Sequence, residues 1–330
     1  MVRLNRVVRD LLIVTAIAFM ITAAVLLRYY VYPATLVLPL EQNRTYRLEA
    51  SSAVYLDTTT YELRAGVPVV QTVTLLGDPA AGDDRVAVWT EASSLETEQG
   101  ERIDYHERRT AFDRRTGMIV DCCEGYVDSD PAAAQRGLAF RLPFGARPQG
   151  YPMYEPLVKQ EVRLRFDGTE TVAGVETYRY TYRVGPVKIE DLPDPVPGRS
   201  VGLPSWRRIT VARYTEVDRT LWVEPESGLI VKTLLRRHDT LRTPDQVERQ
   251  TSLQAELVTS EGDVRALAEE ALRWRRWAQL VRDVVPALCL GIGGLLAAVL
   301  VGLRAARAVR RSAGAQHEQQ VPGHELADAG

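Results

Sequence analysis

The chain has 330 residues, 45% hydrophobic and 25% charged, a balance that excludes wholesale disorder and allows one large domain or two small ones. A formal net charge of -2 gives no electrostatic reason to expect nucleic acid as a partner. Basic residues are almost all arginine, since Lys159, Lys188 and Lys232 are the only lysines.

After MVRLNRVVRD, residues 11–27 read LLIVTAIAFMITAAVLL, with no charge and no helix breaker. At 1.5 Å per residue this run covers about 26 Å, slightly short of a hydrocarbon core of about 30 Å. Arg28, Tyr29, Tyr30 and Tyr32 extend it into the membrane interface by snorkelling and aromatic anchoring, so a transmembrane helix is expected over 11–31. Arg3, Arg6 and Arg9 precede the run and place residues 1–10 in the cytoplasm. A cleaved signal peptide is the competing reading, but bulky Leu, Arg and Tyr stand where a small-residue cleavage site is needed.

Residues 32–259 form the expected extracytoplasmic domain, β-rich and antiparallel. VPVVQTVTLL, RVAVWTEASSL, QEVRLRF, ETYRYTYRV, RTLWVE and LIVKTLL carry β-branched and aromatic residues with period-two stretches. Tyr178, Tyr180 and Tyr182 share one face of a half-buried strand, with Arg179, Thr181 and Arg183 opposite. GDPAAGDD and DGTE read as turns, and the Pro-rich stretches 142–156 and 191–206 as long loops. AFDRRTGMIV (111–120) and WVEPESGLIV (222–231) align without a gap, with Asp113 matching Glu224 and Gly117 matching Gly228. Both predict a hairpin whose glycine supplies positive φ. Two similar β units, near 45–150 and 160–260, are one explanation of the likeness, and convergence on hairpin grammar is the other.

From Ser260 the pattern changes. A capping-box-like SEGD is followed by Val264, Leu267, Ala271, Trp274, Ala278 and Val281 at steps of three and four, which predicts an amphipathic juxtamembrane helix over 260–283. Trp274 and Trp277, flanked by arginines, suit the membrane interface, as do Tyr29, Tyr30 and Tyr32. Residues 284–303, VVPALCLGIGGLLAAVLVGL, are long enough to span the membrane. Gly294, Ala298 and Gly302 form a small-residue stripe for helix packing, against the first span (Ala16, Met20, Ala24) or a second copy. Arg304, Arg307, Arg310 and Arg311 follow, so both termini are expected in the cytoplasm, with 304–330 as a disordered tail. Arginines also precede this span, so the charge rule is not one-sided here.

Catalytic and metal-binding patterns are scarce. His106 and His238 sit beside arginines with no second ligand at metal spacing. No nucleophile elbow or phosphate-cradling glycine loop occurs. The reading is therefore no catalytic residues, no metal and no cofactor. Cys122 and Cys123 fall outside the cytoplasm and Cys289 inside the second span. A vicinal disulfide, an intermolecular bridge and two free thiols are the options for the adjacent pair, and the oxidising compartment favours the vicinal bridge.

YVYP after the first span, AFDRRTG, the adjacent cysteines, GLAFRLPFG (137–145), YPMYEP and LWVEPESGLIVK resemble, in order, the actinobacterial family labelled porin PorA-like, a domain of unknown function. The resemblance implies a two-span envelope protein with an external domain, and carries over no catalytic residues. A β-barrel pore needs lipid-facing strands closed into a ring and no helical spans, unlike this pattern. VAGVETYRYTYRV with LWVEPESGLIVK is also similar to strand pairs of exported lipoprotein carriers of the LolA and LppX kind, which wrap a curved sheet around a lipid-sized cavity.

These readings define a non-enzymatic protein of the plasma membrane whose external β domain binds a lipid, glycolipid or envelope partner. Phe140, Phe144, Tyr151, Tyr154 and Trp206 in the Pro-rich loops are the candidate contacts. The bilayer itself is a partner, and a homo-oligomer can form through the spans. A channel component is the alternative and an exported hydrolase the third reading. The lipid reading requires an apolar cavity of at least drug-pocket size, about 300 Å³.

Overall fold

The structure is a computed structural model that describes residues 2–204 and 206–318. The end of the expected disordered tail, 319–330, lies outside the described residues. The chain divides into two compact units, one of residues 1–35 with 276–330 and one of residues 36–275.

The first unit is helical. Helix α1 (Val2–Leu26) passes through a π-helical turn, Leu27–Val31, into the short α2 (Tyr32–Thr35). Helix α3 (Glu261–Gln279), whose last residues belong here, is followed by a second π-helical turn, Leu280–Val284, and by α4 (Val285–Glu318). Helices α1 and α4 are both long and apolar enough to cross a membrane. They run antiparallel: Asp10 pairs with Arg307 at 2.7 Å, and Arg28 with Asp283 at 2.9 Å. Between these clamps Gly293 is buried against α1, where a Cβ would meet that of Met20 at 3.5 Å, ordinary contact. The first span's stripe of Ala16, Met20 and Ala24 does face its partner, but Gly294, Ala298 and Gly302 do not. One residue's step turns a helix by about 100°, so packing through Gly293 rotates the predicted stripe outward. Helix α4 also continues to Glu318, beyond the expected end at Leu303. Its extension is rich in Ala and Arg, strong helix formers that prolong a helix already nucleated.

The second unit holds one antiparallel sheet of eleven strands. In chain order the strands are β1 (Asn43–Leu56), β2 (Leu63–Gly77), β3 (Val86–Thr97), β4 (Arg102–Asp113), β5 (Tyr126–Val127), β6 (Tyr151–Glu155), β7 (Gln160–Val172) and β8 (Val175–Asp191). They continue with β9 (Val196–Pro197), β10 (Arg208–Ile209), β11 (Ala212–Val223), β12 (Ile230–Arg242) and β13 (Glu248–Thr259). The order across the sheet is β5-β4-β3-β2-β1-β13-β12-β11-β8-β7-β6, and β9 pairs with β10 separately. Both expected β units therefore enter a single sheet, joined where β1 meets β13.

The sheet curls into a half-barrel. Asp104 on β4 meets Arg237 on β12 at 2.5 Å, although four strands lie between them in the sheet. In a flat sheet those strands would stand about 24 Å apart, at about 4.8 Å per step. One face of each strand feeds the enclosed core, including Leu48, Val73, Leu95, Tyr180, Tyr182, Val217, Leu235 and Leu257. Tyr180 and Tyr182 are buried and Arg183 is exposed, as the period-two pattern requires. Helix α3 caps a flank: Leu267, Ala268 and Ala271 pack on Val175, Trp222 and Val231. Ser260 caps this helix through its hydroxyl to the Asp263 amide, while the Asp263 carboxylate accepts from the Arg47 amide on β1.

Candidate functional site

The concave interior is where the sequence reading and the structure meet. The similar stretches at 111–120 and 222–231 fold into the same turn. Gly117 N–H donates to the Asp113 carbonyl at 2.8 Å, and Gly228 N–H to the Glu224 carbonyl at 2.8 Å. The Asp113 carboxylate accepts from the amides of Arg115 and Thr116, and that of Glu224 from the amides of Glu226 and Ser227. Both turns hold the segment 137–146. Ala139 N–H donates to the Gly117 carbonyl and Leu142 N–H to the Gly228 carbonyl, followed by Gly145 to Glu226 and Ala146 to Pro225. The two similar hairpins act as jaws on a plug that fills the open side of the half-barrel. At one level the plug also links the sheet edges, because Leu138 bridges Met118 on one side and Met153 of β6 on the other.

The plug accounts for the expected contact aromatics. Phe140 packs with Trp89 and Phe112 at centroid distances of 5.4 and 5.5 Å, and Phe144 against Trp274 at 5.0 Å. Tyr151 and Tyr154 are buried, with Tyr151 edge-on to Tyr180. Tyr151 and Tyr154 lie in the unit's own core, and Phe140 and Phe144, partly buried, pack against it, because the half-barrel needs apolar mass on its open side. Trp206 alone of the five is exposed, at 76%, with the Arg207 guanidinium over its ring. Trp274 likewise packs on Phe144, whereas Trp277 is exposed. Tyr29 and Tyr30 are exposed, and Tyr32 lies under the guanidinium of Arg282. Cys122 and Cys123 form a vicinal disulfide in an exposed turn after the first hairpin.

The interior is charged to a degree that strand periodicity did not reveal. Glu155, completely buried, forms an ion pair with Arg219 at 3.1 Å and accepts from the Leu157 amide and from the Tyr182 hydroxyl. Arg108 forks onto Glu91 with two bonds of 3.1 and 3.2 Å and lies over the Phe140 ring. At the other end Arg237 joins Asp104 and Asp239, and Thr215 donates to Asp239. His106 bridges Asp104 and Asp128 at 3.1 and 3.2 Å, and Lys159 also reaches Asp128. The signal was present in the i, i+2 spacing of Asp104, His106 and Arg108, and of Arg237 and Asp239, which puts each set on one strand face. Among the described residues no group of three or more His, Cys, Asp or Glu is arranged to hold a metal ion.

Burial works against a charged His106, but the hydrogen bonds to Asp104 and Asp128 outweigh it and raise its pKa to about 9. A raised folded-state value adds stability that is complete below the unfolded value of 6.5 and disappears as pH rises through about 9. Denaturation between these limits is expected to show a loss of up to about 3 kcal/mol. His106→Gln should flatten that slope. A wild-type profile that stays level would contradict the assignment.

The interior leaves a cavity of about 120 Å³, bordered by Arg44, Tyr46, Glu91, Arg108, Arg141, Tyr154 and Arg219 together with Val73, Leu221 and Leu235. Its volume falls below the roughly 300 Å³ of drug-sized pockets, and its walls are mixed. The expected lipid-sized apolar cavity is therefore not formed there, because the plug and the ion pairs occupy the space. A larger depression of about 560 Å³ is open and carries Arg183, Glu216, Asp218, Arg236 and Glu256 on the outer faces of the strands.

A pair of apolar helices long enough to cross a membrane, with a large antiparallel half-barrel sheet, is the class of membrane protein this fold defines. The family model described as Porin PorA matches residues 11–302, and the chain belongs to this family. A similar protein, named porin PorA, comes from Corynebacterium amycolatum and is 27% identical over 152 residues. That alignment covers 38% of this chain and 39% of the relative's length.

Proposed function

We propose that this protein is a non-enzymatic component of a channel in the plasma membrane. Membership of a family described as porin, across both apolar helices and the β unit, carries this reading. In it, α1 and α4 cross the membrane as an antiparallel pair with both termini in the cytoplasm and the β unit outside. The Asp10–Arg307 and Arg28–Asp283 pairs bracket the apolar run 11–27, which at about 26 Å matches a slightly thinned hydrocarbon core. Tyr29, Tyr30 and Trp277 then sit at the interface.

The sheet does not serve as the pore wall. Its outer faces carry Arg183 with Glu216 and Arg236 with Glu256, charges that lipid would expel, and its interior is plugged. The conducting path instead lies between helices of several copies. Gly294, Ala298 and Gly302 face away from α1 and provide a surface for close approach of a second copy. Purified full-length protein in planar bilayers is expected to give stepwise conductance, and Gly302→Leu to make such steps rarer. Silence of the wild-type protein over repeated reconstitutions would refute the channel reading.

A further inference from the structure

The interior cavity has an unbalanced set of hydrogen-bond donors. Four guanidinium groups border it, from Arg44, Arg108, Arg141 and Arg219. Three have carboxylate partners: Arg44 pairs with Glu270, Arg108 with Glu91 and Arg219 with Glu155. Arg141 has none among the described residues; it donates through Nη2 to the Ser227 carbonyl and lies over the Phe144 ring. Burial, reinforced by Arg44, holds its pKa down at about 10, still charged at neutral pH.

Single atoms show the same deficit. Arg108 Nη1, Arg141 Nε, Arg219 Nε and the Tyr154 hydroxyl are all buried without a hydrogen-bond partner. Arg108 is 3% exposed and Tyr154 is 2% exposed. The Arg108 guanidinium stands 5.8 Å from the centre of the Tyr154 ring, and Arg141 and Arg219 line the same cavity. Leaving one such donor unsatisfied costs as much as a lost hydrogen bond, and four around one cavity, one of them on a guanidinium that Glu270 and Glu224 favour only from beyond ion-pair distance, call for an acceptor. Water can satisfy donors but cannot neutralise the charge. At about 120 Å³ the space is close to that of a cavity able to hold a benzene-sized molecule, ample for a phosphate or carboxylate group.

We infer that this cavity is a binding site for a small anionic group, a phosphate or carboxylate, held by Arg141, Arg108, Arg219 and Tyr154. Arg44 and Glu270, only partly buried, form the ion pair at its rim. The site lies wholly within the β unit and does not depend on channel activity. The same chemistry admits a free anion or the headgroup of an anionic lipid.

Calorimetric titration of delipidated full-length protein in detergent, with inorganic phosphate in one arm and acetate in another, tests the site. Saturable one-to-one binding of either anion is expected. Arg141→Gln should weaken it about tenfold or more, the worth of one charge-assisted hydrogen bond. Tyr154→Phe removes one hydroxyl from a buried position, and should weaken binding severalfold while leaving the anion-free melting temperature nearly unchanged. Mass spectrometry before delipidation separates the sources. A stoichiometric anionic lipid, displaced by phosphate and absent from Arg141→Gln, supports a headgroup, whereas anion binding without such a lipid supports the free anion. Failure of both anions to bind, or equal binding by the wild type and both variants, would overturn the inference.

Discussion

Replacing Arg237 by methionine is expected to destabilise the β unit by about 3–5 kcal/mol, the cost of stranding buried charge. Arg237 is 4% exposed and pairs with Asp104 and Asp239, both almost wholly inaccessible. Burial opposes charge on Asp104 and Arg237, yet their pairing outweighs it, driving the Asp104 carboxyl far below its usual range and the guanidinium above its own. Deleting the cation leaves two carboxylates in the half-barrel, Asp104 with His106 and the more distant Arg213 at 3.6 Å and Asp239 with the Thr215 hydroxyl. The pair also ties β4 to β12 across the concave side, so its loss relaxes the curl as well as the charge balance. Removing all three charges together, with Arg237→Met, Asp104→Asn and Asp239→Asn, should recover most of the loss, because these three positions then incur no ionic desolvation. Chemical denaturation followed by tryptophan fluorescence reads both variants. A loss below about 1 kcal/mol for Arg237→Met would place it with ordinary surface pairs.

Gly228→Ala is expected to be nearly as damaging, whereas Gly117→Ala, at the matching position of the similar hairpin, should be mild. Both glycines have positive φ, +71° and +73°, so each alanine incurs a backbone penalty of about 1–2 kcal/mol. Their surroundings differ. A Cβ at Gly228 would lie 2.0 Å from the Leu142 carbonyl oxygen and 2.8 Å from that of Pro143. Neither is a side-chain end that can swing away, so the plug must shift and its bonds from Leu142, Gly145 and Ala146 with it. A Cβ at Gly117 meets its nearest atoms at 3.5 Å, ordinary contact. Overpacking adds about 1–3 kcal/mol at Gly228 alone. Comparing the melting temperatures of the two variants tests this, and equal losses would mean that the plug does not bear on the second jaw as described.

Much of the architecture was legible in the sequence because it rests on periodicity. Two uninterrupted apolar runs gave the helices, and period-two stretches gave the long strands on which the sheet is built. The hairpin grammar of AFDRRTGMIV and WVEPESGLIV led directly to two turns of the same hydrogen-bonded form. Adjacent cysteines after a turn gave the vicinal disulfide. Family motifs along the chain gave the relationship to PorA, which the match over 11–302 bears out.

What sequence did not disclose depends on which faces meet. Phe140, Phe144, Tyr151 and Tyr154 fall in Pro-rich sequence, the last two on β6, and composition alone marks such aromatics as equally suited to a surface or a core. Only the curling of the sheet brought Phe140 and Phe144 of the plug and Tyr151 and Tyr154 of β6 to the unit's core. The small-residue stripe on α4 faces away from α1, which packs at Gly293 instead, since Gly293 and Gly294 are indistinguishable until a second helix selects one. A lipid-sized cavity was a reasonable reading of a curved sheet, yet curvature brought Arg108, Arg219 and Arg237 from distant strands into the enclosed space. Sequence by itself determined the elements, because hydrophobic spacing along a strand or helix is a local property. Tertiary structure alone decided the charged interior, the jaws and the anion cavity, because charge pairing and close packing act between residues that chain order keeps far apart.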